Sequence, residues 1–328
     1  MDFDRILCER RRSCCVGSSG LKGESMVTDI TRYLQTWSAV GKEAPNLDGD
    51  VARIQVLLSS LAGRSGPTLL VDGKVSPSLI GAITAFQRDV MKIEPTGKVE
   101  PASATFRALL DAAGPKIKEQ TRFPVGNGHR AHLTDADYVH AAGILGCKAE
   151  AIKAVSEVES KGAPFLQSGR PKILFEPQIF GEKTGHRYES GFPDISRQHR
   201  LPRGHGVHGY GSEEDQWTKL KVAALLDRRS AIESASWGRF QILGKNWMFT
   251  GVKSLDAFLA VMFTSERSQL DGFVAFVKSQ HLDGPLKRLD WRAFARGYNG
   301  AGFHRDNYDG KIAAKYRHLT HPAQVAIR

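Results

Sequence analysis

Residues 149–160 read AEAIKAVSEVES. Ile152, Val155 and Glu159 recur in this stretch at spacings of three and four, so in an α-helix they share one face. That face is apolar until its last member, a carboxyl group. Glu150 and Glu157 project elsewhere, toward water. A carboxyl at the end of an inward stripe is costly to ionise, and the negative end of the helix macrodipole acts in the same direction. Such a group tends to hold its proton, which a general acid must do. On spacing alone, the simpler reading of Glu159 is a surface glutamate at a frayed helix end. The surrounding sequence reverses that preference.

Upstream, Thr134 with Asp137 forms an N-cap followed by an acid at the third helical position, predicting a helix through Leu145 that Gly146 ends. The next helix covers about 148–160. Downstream, Gly, Pro and His crowd residues 161–212, which predicts long loops. Helices follow at about 215–228, 254–279, 290–298 and 306–319, with Ser254 and Asp290 as N-caps. Residues 172–175 and 240–242 are the best short strand candidates. Residues 131–328 therefore read as one mainly α-helical domain.

Residues 27–115 read as a separate three-helix unit. Val51, Ile54, Leu57, Leu58 and Leu61 repeat near the helical period, Leu79, Ile80, Ile83 and Phe86 mark a second helix, and Phe106, Leu109 and Leu110 a third. Gly63, Gly66 and Pro67 fall in a loop, Pro95 and Gly97 in a turn, and Gly114-Pro115 reads as the stop of the third helix. The unit has no clustered ionisable residues, phosphate-type Gly loop or cysteine, so a binding role is expected of it. Residues 116–130, KIKEQTRFPVGNGHR, read as a linker, and residues 1–26 as a flexible tail.

The 328-residue chain is 41% hydrophobic and 25% charged, an ordinary globular composition that excludes a mainly disordered or fibrous chain. No apolar run is long enough for a transmembrane helix. The net charge is +11, and residues 116–328 carry nearly all of the excess, with 32 basic against 22 acidic residues. This predicts an anionic partner. The basic residues are scattered and match no nucleic-acid motif, so nucleic acid is not expected. Cys8, Cys14, Cys15 and Cys147 make no C-x-x-C pair, which predicts a reduced, cytoplasmically made protein. The start, MDFDRILCERRRS, lacks the apolar stretch of a secretory signal. His186, His199, His205 and His208 lie close together, but in a Gly-rich region with nothing to fix ligand geometry. No metal and no cofactor are expected.

Two later segments give the helix ending at Glu159-Ser160 its meaning. After it come Ser236-Trp237-Gly238-Arg239-Phe240-Gln241-Ile242 and then Gly297-Tyr298-Asn299-Gly300. This order resembles the lysozyme-like superfamily of goose-type lysozymes and lytic transglycosylases, where an E-S pair supplies the acid, a G-x-x-Q segment lines the cleft and a Y-N-G segment closes it. More closely, VES, GRPKILFE, PDIS, HGYG, SASWGRFQI and DWRAFARGYNG look like the N-acetylmuramidase domain of phage endolysins. The resemblance implies a lysozyme-like catalytic domain at 131–328 that hydrolyses the β-1,4 bond between N-acetylmuramic acid and N-acetylglucosamine, with Glu159 as the acid. It equally admits a lytic transglycosylase that uses the same acid and forms 1,6-anhydro products.

An oxocarbenium-like transition state benefits from a second carboxylate. Glu176 is the leading candidate and Asp194 the other. Ser160, Trp237, Gln241, Tyr298 and Asn299 are the expected substrate contacts, because amides both donate to and accept from sugar groups and aromatic rings offer flat faces. Glu233-Ser234 is a weaker E-S pair because it does not close an apolar helix, and Glu266 fits helix stabilisation better than a cleft role.

In the first unit, Gln55…Leu58, Val71-Asp72-Gly73-Lys74-Val75, Ala82…Phe86-Gln87, Gly97-Lys98-Val99 and Thr105…Leu109 are similar to the peptidoglycan-binding type 1 module. That family pairs two half-patterns, each a Gly turn followed by a helix. This chain departs from it at Val75-Ser76-Pro77, where an aromatic and a Gly are usual. Together the resemblances imply a monomeric enzyme whose partners are the glycan strands of peptidoglycan and an anionic envelope surface. It would be made in the host cytoplasm without a signal peptide and reach the wall after membrane permeabilisation.

Overall fold

The computed structural model describes residues 25–61, 69–125, 131–160, 163–200 and 210–321. The expected tail up to residue 24, with Cys8, Cys14 and Cys15, lies outside the described residues, as do Gly63, Gly66, Pro67, His205, His208 and residues 126–130.

The N-terminal unit comprises α1 (Ser25–Leu34), β1 (Val40–Gly41), α2 (Asp48–Leu61), α3 (Pro77–Ala85), a π-helical turn (Phe86–Val90), β2 (Lys98–Val99) and α4 (Ala104–Gln120). The two short strands pair antiparallel, with Val40 opposite Val99. Two buried glutamines organise its turns in the same way. Gln55 Oε1 accepts from the N–H groups of Asp72 and Gly73, while its Nε2 donates to Asp72 Oδ1 and Lys74 O. Gln87 Oε1 accepts from the N–H groups of Thr96 and Gly97, while its Nε2 donates to Thr96 Oγ1, Lys98 O and Thr105 Oγ1. Gly73 and Gly97 both take positive φ, 73° and 65°. A serine N-cap follows each turn, Ser76 for α3 and Ser103 for α4. The internal pattern is thus two copies of one hydrogen-bonded device.

The expected stop at Gly114-Pro115 does not occur. α4 runs through Pro115 to Gln120 because Ala113 and Ile117 continue its buried stripe. The proline lacks an N–H, but packing on both sides of it keeps the chain helical. Nor are residues 116–123 a linker. Thr121 is buried, and the Phe123 ring meets Trp217 edge-on at 5.5 Å, with the Arg228 guanidinium 4.7 Å from its centre. Arg228 Nη1 also donates to Gln120 O, and Arg32 pairs with Asp215 at 2.9 Å, so the two units are joined by direct contacts.

The C-terminal unit opens with α5 (Asp135–Leu145), whose capping box joins Thr134 to Asp137 and whose C-cap Gly146 has φ 66°. α6 (Ala149–Ser160), β3 (Ile173–Phe175), α7 (Pro177–Lys183) and the long α8 (Glu213–Glu233) follow. β4 (Ala235–Trp237) and β5 (Ile242–Leu243) complete an antiparallel sheet in the order β3-β4-β5. A 3-10 turn (Gly244–Phe249) leads to α9 (Leu255–Thr264), α10 (Glu266–Ser279), α11 (Asp283–Lys287) and α12 (Trp291–Asn299). After a 3-10 turn (Phe303–Asp306), α13 (Tyr308–Thr320) ends the described chain. The architecture is mainly helical, as expected. The single helix expected at 254–279 is divided at Ser265, an extended residue that caps α10 by accepting from Ser268 N. β3 falls at the expected strand candidate 172–175, the region otherwise expected as loops also holds α7, and β4 is a strand that the sequence did not indicate.

Candidate active site

α6 and α12 end against each other. α6 buries Ile152, Val155, Ser156 and Glu159, so the carboxyl faces inward as its spacing predicts. α12 starts from the Asp290 cap, which accepts from Ala293 N at 3.0 Å, and buries Phe294 and Ala295. It ends at Gly300, whose φ of 78° suits a residue without Cβ. This leaves Asn299 at the helix end, where its Nδ2 donates to Glu159 Oε1 at 2.9 Å. Asn299 Oδ1 is buried without a hydrogen-bond partner among the described residues. Ser160 is buried beside Glu159, at 2% exposure, and presents almost no surface to a substrate.

The turn between β4 and β5 approaches the same place. Its positive-φ residues are Gly238 and Gln241, and Gln241 Nε2 donates to Gly238 O at 2.8 Å. Tyr298 O–H donates to Phe240 O at 2.6 Å, tying α12 to this turn. The Tyr298 ring stacks on Phe294 and meets Phe273 and Phe276 edge-on. Burial pushes its phenol well above the usual range, and the neighbouring Glu159 carboxyl adds to the effect. Tyr298 is therefore a strut of the site, not the open sugar platform expected.

Trp237 needs a fuller correction. It has no exposed surface, donates through Nε1 to Ile232 O at 3.0 Å, and packs against Phe123, Trp217, Phe258 and Phe263. It is the centre of the aromatic core and does not contact substrate.

Sequence reasoning missed a polar network behind Glu159. Arg239 Nη1 donates to Ser156 Oγ at 3.0 Å, and its Nη2 pairs with Glu266 at 2.5 Å. Ser156 also meets the Tyr138 hydroxyl at 3.2 Å. Glu266, 2% exposed, further accepts from Leu133 N and bonds His132 Nδ1. Gln269 Oε1 accepts from Arg239 N, and its Nε2 donates to Met262 O. The one local signal was Ser156, a polar residue in the apolar stripe of α6, three positions before Glu159. Glu266, expected to stabilise a helix from within, instead opens α10 and holds Arg239.

Glu176 closes β3 and is buried. It accepts from Gln178 Nε2 at 2.8 Å, from the Tyr210 hydroxyl and from Arg200 Nη2 at 3.5 Å. Burial, followed by the Glu176 charge, pushes the Tyr210 phenol up. Arg200 also senses Asp306, in the turn that follows Asn299, so this cluster borders the end of α12. Asp194 is exposed and senses Tyr33 and Lys219, near the N-terminal unit. Glu233 is held in ion pairs with Lys183 and Arg229, away from the Glu159–Asn299 contact. His186 bonds Glu189. Among the described residues no group of three or more His, Cys, Asp or Glu side chains is placed to hold a metal ion, and no helix is long and apolar enough to cross a membrane.

The N-acetylmuramidase family model matches residues 148–320, more than half of the chain and all of the segment from α6 to α13. Among solved structures, the chain is similar to one titled "Crystal structure of Burkholderia AP3 phage endolysin", at 30% identity and a TM-score of 0.50, covering 83% of this chain and 95% of that one. No curated protein sequence matches it. With an inward glutamate, its asparagine partner and the connecting hairpin all inside the matched segment, the chain belongs to the N-acetylmuramidase family and is a glycoside hydrolase of peptidoglycan.

Proposed function

We propose that this enzyme hydrolyses the β-1,4 bond between N-acetylmuramic acid and N-acetylglucosamine with Glu159 as general acid, as a wall-lytic enzyme of the endolysin kind. The observation that carries the reading is the 2.9 Å bond from Asn299 Nδ2 to Glu159 Oε1 where two helix ends meet. That bond fixes one oxygen of a buried carboxyl, so the plane of the group is set before substrate arrives. In the reaction the carboxyl gives its proton to the glycosidic oxygen, the C1–O bond breaks, and the N-acetylglucosamine leaves as an alcohol. The muramic acid C1 becomes oxocarbenium-like and takes up water, whose released proton restores the spent carboxylic acid. Glu176 is the second carboxylate, held by Gln178, Tyr210 and Arg200 and stabilising the positive charge from its side of α12. Gln241, half-exposed on the hairpin turn, meets the sugar's N-acetyl and hydroxyl groups.

Product analysis on purified sacculi tests this. The wild type should release muropeptides with a reducing-end muramic acid, heavier by one water than a 1,6-anhydro end, and Glu159→Gln should release none. Anhydro ends would make the enzyme a lytic transglycosylase, and full activity in Glu159→Gln would remove Glu159 as the acid.

The N-terminal unit is, on this reading, the wall anchor. Its paired Gln55 and Gln87 turns support the likeness to the peptidoglycan-binding type 1 module. Anchoring would raise the local concentration of glycan at the catalytic unit. The Glu159→Gln chain should therefore still sediment with sacculi.

A further inference from the structure

The exposed face of α12 has a charge pattern that the fold does not require. Arg292, Arg296 and Asn299 stand at i, i+4 and i+7, so they form one row ending at the Glu159 carboxyl. Both arginines are exposed, and neither has a carboxylate partner among the described residues. Two like charges at i and i+4 repel, and a cation in the first turn opposes the helix dipole, so Arg292 works against its own helix. The nearby acid, Asp290, is engaged as the N-cap. Lys287 and Arg288 precede the row and Arg305 follows it, all exposed. The row spans roughly 10 Å from Arg292 to Asn299 at the helical rise, a length comparable with one disaccharide of glycan.

We propose that Arg292 and Arg296 form a track for the free carboxylates of the peptide stems carried by muramic acid, and so select stem-bearing glycan over bare polysaccharide. This rests on the peptidoglycan-cleaving reading above and adds the group that is recognised. A glycan strand lying across the Asn299–Glu159 pair projects its stems to the side. The exposed guanidiniums beside the cleft then hold the strand through charge-assisted hydrogen bonds to carboxylate. Because the track lies in water, it should contribute modestly and in a salt-dependent way.

The test compares initial rates of reducing-end release for the wild type and the Arg292→Gln/Arg296→Gln chain. The substrates are native sacculi and sacculi whose carboxyl groups have been capped as methylamides. On native sacculi the double variant should be slower by roughly tenfold, the yield of two exposed charge contacts. Capping should slow the wild type by a similar factor and close the gap between the two proteins, and Arg292→Lys/Arg296→Lys should recover part of the rate. A double variant as fast as the wild type on native sacculi, or slower by the same factor on both substrates, overturns the track. A wild type that releases no reducing ends from either substrate would sink the muramidase reading and this inference with it, a result distinct from the other two.

Discussion

Arg239 Nη1 donates to Ser156 Oγ at 3.0 Å, one helical turn before Glu159. The other terminal nitrogen of the same guanidinium pairs with Glu266, which is almost fully buried. One side chain thus fastens the hairpin carrying Gln241 to the helix of Glu159 and to α10. Removing it leaves the Glu266 charge inside the protein with only His132 and the Leu133 N–H. Truncating one member of a buried pair costs about 3–5 kcal/mol. Arg239→Met should therefore unfold at clearly lower urea than the wild type. Arg239→Lys should recover only part of the loss, because an ammonium lacks the planar fork that reaches both partners. A lysine variant as stable as the wild type would contradict the two-point grip.

Asn299 meets the proposed acid Glu159 through a single hydrogen bond, so its removal should appear in turnover more than in stability. Asn299→Ala should lower the rate on sacculi by roughly 10- to 100-fold, the range for losing one positioned polar group, with KM and melting temperature changing little. Asn299→Asp sets a carboxyl against Glu159, and like charges raise the proton affinity of one of them. The alkaline limb of the rate profile should then move to higher pH. Rate–pH curves for the three proteins measure both effects.

Local features were legible where local chemistry decides them. The spacing of Ile152, Val155 and Glu159 puts the carboxyl on the buried face, though only the neighbouring motifs favour that over a surface glutamate, and Thr134, Ser254 and Asp290 cap the helices that their types predict. Trp237 shows where local reading stops. A tryptophan beside glycine in a cleft-lining segment has the chemistry of a sugar platform, but its burial is decided by Phe123, Trp217, Phe258 and Phe263, which arrive from three other parts of the chain. The same holds for Arg239, whose partners lie on α6 and α10, and for Pro115, where a local stop signal yields to the buried Ala113 and Ile117 on either side.

The corrected role of Trp237 is measurable. Trp237→Ala leaves a cavity in the aromatic core and removes the Nε1 donor to the Ile232 carbonyl, and should cost about 3–5 kcal/mol. The folded fraction should keep its KM for sacculi. A raised KM without loss of stability would restore Trp237 to the substrate surface.

Asp137 gives a pH signature. The Thr134 backbone N–H, then its hydroxyl and Arg267, hold the Asp137 carboxyl below its usual range. A carboxyl depressed by folding contributes stability above its unfolded value, about 3.9 for aspartate, and loses it as pH falls through the lower, folded value. Asp137→Asn should be less stable than the wild type at neutral pH. The gap should shrink through the acid range and vanish once both states are protonated. Urea midpoints taken from neutral to strongly acid pH would show the convergence, and a gap independent of pH would assign the loss to packing.

Phe123 bears on how the two units work together. A linker would leave them free to unfold separately. Instead the Phe123 ring lies edge-on to Trp217 and against Trp237, with Arg228 over its face. Arg228 also holds the Gln120 carbonyl at the end of α4. A phenylalanine buried this well costs about 3–5 kcal/mol to truncate, and here the loss falls on the junction as well as on the catalytic core. The wild type should therefore melt in one calorimetric transition. In Phe123→Ala that transition should move down and split, with the N-terminal unit and the catalytic unit melting apart. The same variant should keep its rate on soluble muropeptide fragments and lose rate on intact sacculi, where a fixed wall anchor would matter. A variant that melts in one transition at the wild-type temperature would show that residues 116–123 only connect the two units.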